Sequence, residues 1–166
     1  MSSLTSRTMR IFIFKSISDS PKEDNTACLN EPTSISFRPV SAREIIKSVE
    51  CSSCHVLALT NMGSVYSCGD GSHGQLGHGL LEYCKHFRMI TAFVNSNGER
   101  TIVTQISAGS DDTSSHSAAI DSENNLFTWG KSLLCGHLTG AEKCTVPKKL
   151  KPLEVSCHEI SLRVFF

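Results

Sequence analysis

Two stretches of this chain, 61 residues apart, carry one pattern twice. Aligning residues 53–69 (SCHVLALTNMGSVYSCG) with 114–130 (SSHSAAIDSENNLFTWG) matches Ser53 to Ser114, His55 to His116, Ala58 to Ala119 and Gly69 to Gly130. Four more positions pair like with like: Leu59 with Ile120, Val65 with Leu126, Tyr66 with Phe127 and Ser67 with Thr128. Gly63 meets Asn124, the residue that next best tolerates a left-handed turn. Each copy therefore reads as strand, tight turn, strand. A repeat of this period constrains the fold more than any local propensity, because one supersecondary unit cannot bury its apolar face alone and must stack on a sibling.

The first copy runs on into a glycine cluster, Gly69, Gly71, Gly74, Gly77 and Gly79. Such a cluster behind an alternating strand marks backbone that takes positive φ or approaches another chain closely. It precedes no helix and carries no Lys, so it is not a phosphate-cradling loop.

The segment 55–79, HVLALTNMGSVYSCGDGSHGQLGHG, resembles the repeat of the regulator of chromosome condensation family. That repeat has a His–small–apolar strand, a turn, an aromatic strand ending in Trp-Gly or a variant, and then Gly-Gln-Leu-Gly. Gly74, Gln75, Leu76 and Gly77 supply the last motif in full, and Cys68 stands where Trp is usual. The second copy keeps His116 and Trp129-Gly130 but continues as Leu133-Leu134-Cys135-Gly136-His137. The resemblance covers roughly residues 38–158. It implies an all-β fold, a partial β-propeller of four-stranded blades. His55, Gly63, Gly69, Gly74, Gln75, Leu76, Gly77, His116, Trp129 and Gly130 are its structural repeat positions.

The implied division is an N-terminal strand and polar linker over 1–35, a first repeat over 36–100, a second over 101–153 and the start of a third over 154–166. Within it, Ile11–Phe14 reads as a short strand and Ser16–Pro32 as an aperiodic linker or insert. Outer strands are expected at Ser36–Val40, Phe87–Val94 and Lys148–Leu153. Inner strands are expected at Ile45–Cys51 and Thr101–Ala108, and hairpins at His55–Thr60 with Ser64–Cys68 and at His116–Asp121 with Leu126–Trp129. Two blades leave two uncovered faces, so the chain is expected to be a fragment of a longer propeller, or else covered by another copy or a partner.

Composition excludes several function classes. Sixteen basic and sixteen acidic residues in 166 give no net charge, which argues against a dominant phosphate-binding surface and so against nucleic acid as partner. Lys15 ends the apolar run after Phe14, too soon for a signal peptide, and no run approaches a membrane span. Eight irregularly spaced cysteines then read as reduced thiols of a cytoplasmic or nuclear protein.

No catalytic constellation emerges: there is no Gly-x-Ser-x-Gly elbow and no His-Glu-x-x-His helix. Cys51-Ser52-Ser53-Cys54-His55 matches the haem-attachment pattern, but His55 has a structural equivalent in His116, which lacks the cysteines. Cys51 and Cys54 could pair with Cys84 and His86, or with Cys135 and His137, around zinc, yet the one-residue gaps make poor knuckles. No cofactor and no metal are expected.

The resemblance also implies partners. Family members that act as exchange factors for the Ran GTPase present acidic residues just ahead of the repeat histidine, where this chain has Asp111 and Asp112. The expected role is a non-catalytic protein-binding module, with guanine nucleotide exchange on a Ran-like small GTPase as the alternative. A third reading makes the blades part of a larger ubiquitin ligase or kinase-linked protein.

Overall fold

The computed structural model describes residues 9–13, 33–41, 43–94, 97–110, 115–131, 135 and 143–150. They form ten strands: β1 (Met9–Ile13), β2 (Thr33–Phe37), β3 (Ile46–Cys51), β4 (His55–Thr60), β5 (Val65–Gly69), β6 (Cys84–Met89), β7 (Val103–Ser110), β8 (Ser115–Asp121), β9 (Leu126–Lys131) and β10 (Lys143–Lys149). One 3₁₀ turn, Thr91–Phe93, follows β6. The fold is all-β. Among the described residues no helix is long and apolar enough to cross a membrane.

Two four-stranded antiparallel meanders, β3-β4-β5-β6 and β7-β8-β9-β10, are joined by a separate β1–β2 pair. The two meanders copy one another at the level of register. His55 lies opposite Gly69, Val56 opposite Cys68 and Ala58 opposite Tyr66, while His116 lies opposite Gly130, Ser117 opposite Trp129 and Ala119 opposite Phe127.

The turns agree as well. Gly63 and Asn124 both adopt left-handed backbone, at φ 75° and 61°. In one turn Gly63 N–H reaches Thr60 O and in the other Asn124 N–H reaches Asp121 O, at 3.0 and 3.1 Å. Thr60 Oγ1 accepts from Ser64 N–H, and Asp121 Oδ1 accepts from Asn125 N–H. Gly and Asn therefore substitute for one another because only they enter this conformation at low cost.

Alternation along β4 and β5 sends Leu57, Leu59 and Val65 to one face of the first sheet, and Val56, Ala58, Tyr66 and Cys68 to the other. The first set packs with Ile90, Phe93, Val103, Ile106, Ala108, Ala119 and Trp129 into one core between the sheets. The second set packs with Phe37 and Phe87. A strand buried on both faces reads as a continuous apolar run rather than as an alternation, and every residue of β4 is buried.

Four strand expectations need correction. The outer strand of the first meander is Cys84–Met89 rather than Phe87–Val94, because Ile90 and Phe93 turn inward and close the core through the 3₁₀ turn. β10 is Lys143–Lys149 and so begins before the strand expected at Lys148–Leu153, of which residues 151–153 lie outside the described residues; Pro147 sits where the pairing with β9 shifts register, at a sheet edge where its missing N–H costs no ladder bond. Ser36–Val40 is not an outer strand of the first meander: β2 ends at Phe37 and pairs with β1. The strand expected at Thr101–Ala108 is Val103–Ser110. The linker at 16–32 and the third unit at 154–166 lie outside the described residues.

Gly69 and Gly130 are equivalent positions of the repeat with left-handed backbone, at φ 109° and 115°. A Cβ on either would stand 2.5 Å from a carbonyl oxygen, that of Cys54 or of Ser115. Gly69→Ala and Gly130→Ala are each expected to lower stability by about 1–3 kcal/mol from backbone strain, read as a fall in the urea midpoint. An unchanged midpoint for either would remove the strained position from the repeat.

Candidate functional site

The joint between the two meanders is built around one peptide carbonyl, that of Gln75. Its loop follows β5, and Gln75 itself has no exposed surface. The side chain is used up inside the loop: Oε1 accepts from His73 N–H at 2.9 Å, and Nε2 donates to Asp70 Oδ2 at 3.1 Å. The main-chain oxygen faces the second sheet and takes two donors, Trp129 Nε1–H at 2.7 Å and Ser117 Oγ–H at 2.9 Å. Gly77 makes the approach possible, since a Cβ there would stand 2.9 Å from Trp129 Nε1. Gly74 passes equally close to the backbone of Cys144 and Thr145, and Gly79 N–H donates to Thr145 O. Leu76 is buried, and its carbonyl accepts from Ser67 Oγ–H at 2.6 Å.

His55 completes the joint from the first sheet. Its Nε2 lies 2.8 Å from Ser117 Oγ and its Nδ1 2.6 Å from Ser52 Oγ. Because the Ser117 hydroxyl proton goes to Gln75 O, Ser117 must accept from His55, which fixes the Nε2–H tautomer and leaves Nδ1 to accept from Ser52. Burial, with a smaller contribution from His116, pushes the His55 pKa down to about 3. The imidazole is neutral and structural, fully engaged on both nitrogens. Beside it Ser53 Oγ and Ser110 Oγ meet at 2.7 Å, and Cys54 Sγ stands 3.0 Å from Ser115 Oγ.

The second meander repeats part of this. Thr128 Oγ1–H donates to Cys135 O at 2.7 Å, as Ser67 does to Leu76, so buried Cys135 takes the place of Leu76 in a loop that has lost its Gly-Gln. Cys84 and Cys144 form another pair that alignment of the hairpins missed. They lie opposite Gly69 and Gly130, and their thiols donate to the carbonyls two residues on, at 3.0 and 3.3 Å. The signal was present as a Cys at a near-constant spacing after each blade glycine.

Of the zinc and haem candidates, Cys51, Cys54, His55, Cys84, His86 and Cys135 are described, and His137 lies outside the described residues. Among the described residues no three or more His, Cys, Asp or Glu are gathered to hold a metal ion. Cys54 belongs to the joint, and Cys84 bonds its own strand. Asp111 and Asp112, the candidate partner-binding residues, lie outside the described residues; the strands they connect end at Ser110 and begin at Ser115, beside Ser53. In a meander the β3–β4, β5–β6 and β7–β8 connections all leave from this end. Here the β5–β6 connection exposes Leu80, Leu81 and Tyr83, at 46, 48 and 69 % of full accessibility, with Val146 of β10 close to Gly79.

Two family models, each described as a regulator of chromosome condensation (RCC1) repeat, match residues 46–75 and 62–120. The human E3 ubiquitin-protein ligase HERC2 is 33 % identical over 127 residues, covering 71 % of this chain and 2 % of the relative. Human RCC1 domain-containing protein 1 is 30 % identical over 94 residues, 57 % of this chain and 23 % of the relative. The chain thus spans under a quarter of either protein. Among solved structures, human WBSCR16 superposes with a TM-score of 0.54 at 26 % identity over 70 % of this chain and 28 % of its own. Yeast RCC1 (Prp20), solved bound to Kap60, gives 0.53 at 20 % identity over 78 % and 29 %. Prp20p of Saccharomyces cerevisiae is also described with binding properties to Gsp1p and histones.

Two measurements probe the joint. Trp129→Phe keeps an aromatic side chain but withdraws one donor from a buried carbonyl and leaves space where the pyrrole ring stood, and is expected to cost at least about 1–3 kcal/mol in urea unfolding. The His55 pKa is lower folded than its ordinary value near 6.5, so between about 3 and 6.5 the unfolded chain binds a proton that the folded chain excludes. Stability therefore rises with pH through that window and is flat above it; at pH 5 the deficit is about 2 kcal/mol. His55→Gln should flatten this slope while lowering stability at pH 7.

Proposed function

Because this chain belongs to the regulator of chromosome condensation repeat family through residues 46–120, we propose that it is a non-catalytic protein-binding module, a stretch of β-propeller whose end loops dock a protein partner. The observation that carries this reading is the ledge of Leu80, Leu81 and Tyr83. Large apolar side chains are exposed there on a connection that the joint holds in place through Gly79 N–H and Thr145 O. An ordered apolar ledge gives a partner desolvation energy without the cost of ordering a loop. Among the described residues both nitrogens of His55 are spent on the contact between the sheets, with Ser52 on one and Ser117 on the other, which supports a structural use of that histidine. HERC2, named as an E3 ubiquitin-protein ligase, is matched over 2 % of its own length, and the role proposed here is binding.

The partner proposed is a small GTPase of the Gsp1p type; what supports it is that Prp20p, of similar fold, is described with binding properties to Gsp1p and histones and is solved bound to Kap60. A cytoplasmic or nuclear setting accords with these. Guanine nucleotide exchange is the second reading, favoured by the place of Asp111 and Asp112 in the sequence, just ahead of the repeat histidine His116.

A GTPase of that type loaded with fluorescent GDP separates the readings. Binding without faster GDP release, weakened about tenfold or more by Leu81→Ser/Tyr83→Ser, is the expected result. Equal affinity of that variant would discard the ledge, and absence of binding would discard the GTPase. Release accelerated by the chain, and abolished by Asp111→Ala/Asp112→Ala, would replace the module with an exchange factor.

A further inference from the structure

The first meander has a second face, turned away from the joint, and the chain itself sits on it. Phe37, at the end of β2, is 2 % exposed; its ring meets Tyr66 edge-on at 4.8 Å between centroids and Phe87 at 6.1 Å. Three residues on, Val40 N–H donates to Tyr66 OH at 3.2 Å, and Tyr66 OH donates in turn to Glu44 Oε2 at 2.8 Å. Glu44 is buried, and Thr60 Oγ1–H holds its other oxygen at 2.9 Å. Burial works to raise the Glu44 pKa, but hydrogen bonds from Ser64, Tyr66 and Thr60 and the charge of Arg100 hold it below its ordinary value. The path from Phe37 to Glu44 is thus a strap over Tyr66, fastened by one aromatic contact and one relay of hydrogen bonds.

The residues beneath the strap differ from those that dock a neighbouring sheet. On the matching face of the second meander, Ser117 and Trp129 send two donors to the Gln75 carbonyl. By register the first meander has Val56 where Ser117 stands and Cys68 where Trp129 stands. Neither side chain can supply a strong donor to a Gly-Gln-Leu-Gly carbonyl or an oxygen to a partner histidine. Both belong instead to the apolar cluster that includes Phe37. The face has exchanged the polar equipment of a blade joint for a surface that fits an aromatic ring.

We propose that this face is built for the chain's own segment 33–44 and not for a neighbouring blade, so that the strap caps the first meander on this side. The inference does not depend on the binding role assigned above, since it concerns a sheet face and not the ledge of the β5–β6 connection.

Cys68 reports on the cap. It lies under the cluster with no exposed surface, and Cys135 is the matching buried thiol of the second meander. In the full chain at neutral pH, alkylation with iodoacetamide is followed peptide by peptide by mass spectrometry. Phe37→Ala should speed modification of Cys68 about tenfold, the factor that one aromatic edge contact is worth, with Cys135 unchanged. Tyr66→Phe, which keeps the ring and cuts the relay to Val40 and Glu44, should give a smaller rise at Cys68 alone. An added peptide of residues 33–44 should restore protection to Phe37→Ala, and the same peptide with Ala for Phe should not. Equal acceleration at Cys68 and Cys135, no acceleration at either, or failure of the peptide to protect would each overturn the proposal.

Discussion

One main-chain carbonyl that cannot reach water decides how this chain is put together. Gln75 O lies in a loop whose side chain is already committed, and a buried carbonyl left without donors costs as much as a lost hydrogen bond. The donors come from another sheet 42 and 54 residues away. Gly-Gln-Leu-Gly is therefore a receptor for a neighbour, with the glycines admitting the indole, the glutamine bracing the loop and the leucine filling the core. His55 adds direction, because a neutral imidazole with a fixed tautomer accepts only one arrangement of Ser52 and Ser117 around it. Leu57, Leu59 and Val65 provide the apolar area, and the polar groups choose the register in which it is buried.

That division of labour explains what could be read from the sequence. The hairpins at His55–Thr60 with Ser64–Cys68 and at His116–Asp121 with Leu126–Trp129 were legible because each is a local pattern closed by a residue that tolerates left-handed backbone, Gly63 or Asn124. The pairing of Tyr66 with Phe127 and of Ser67 with Thr128 came from the same alignment. The outer strands were not legible. Cys84–Met89 has only Phe87 buried and Lys143–Lys149 has no fully buried residue, so neither carries an apolar alternation. Ile90 and Phe93 look like strand residues in sequence because they are apolar and adjacent to one, yet they serve the core from a 3₁₀ turn. The role of Ser117 was hidden for a different reason: a serine gains meaning only when a histidine from another sheet points at it.

The candidate site was legible in part. His55, Gln75 and Trp129 were identified as repeat positions, and the structure gathers them into one hydrogen-bonded joint. Asp111 and Asp112 came from the resemblance alone, whereas the ledge of Leu80, Leu81 and Tyr83 was not singled out, because three apolar residues after a glycine cluster carry no periodicity that tells an exposed face from a buried one. The N-terminal segment was likewise read only as a strand and a linker. Phe37, read in the sequence as part of an outer strand at Ser36–Val40, gains a partner in Tyr66 through a fold-level contact that no local pattern announces.

The central claim is that the two meanders dock through this joint, and a cross-link across it is the most direct test. Ser53 and Ser110 meet side chain to side chain from different sheets at 2.7 Å, close enough for a disulfide between cysteines at those places. In a chain carrying Cys51→Ser and Cys54→Ser, the double substitution Ser53→Cys/Ser110→Cys should form that disulfide readily under mild oxidation, identified by peptide mass spectrometry, with the circular dichroism of the folded chain retained. Failure of the two thiols to join while the chain remains folded would mean that the sheets do not meet there, and the account built on the Gln75 carbonyl would be wrong.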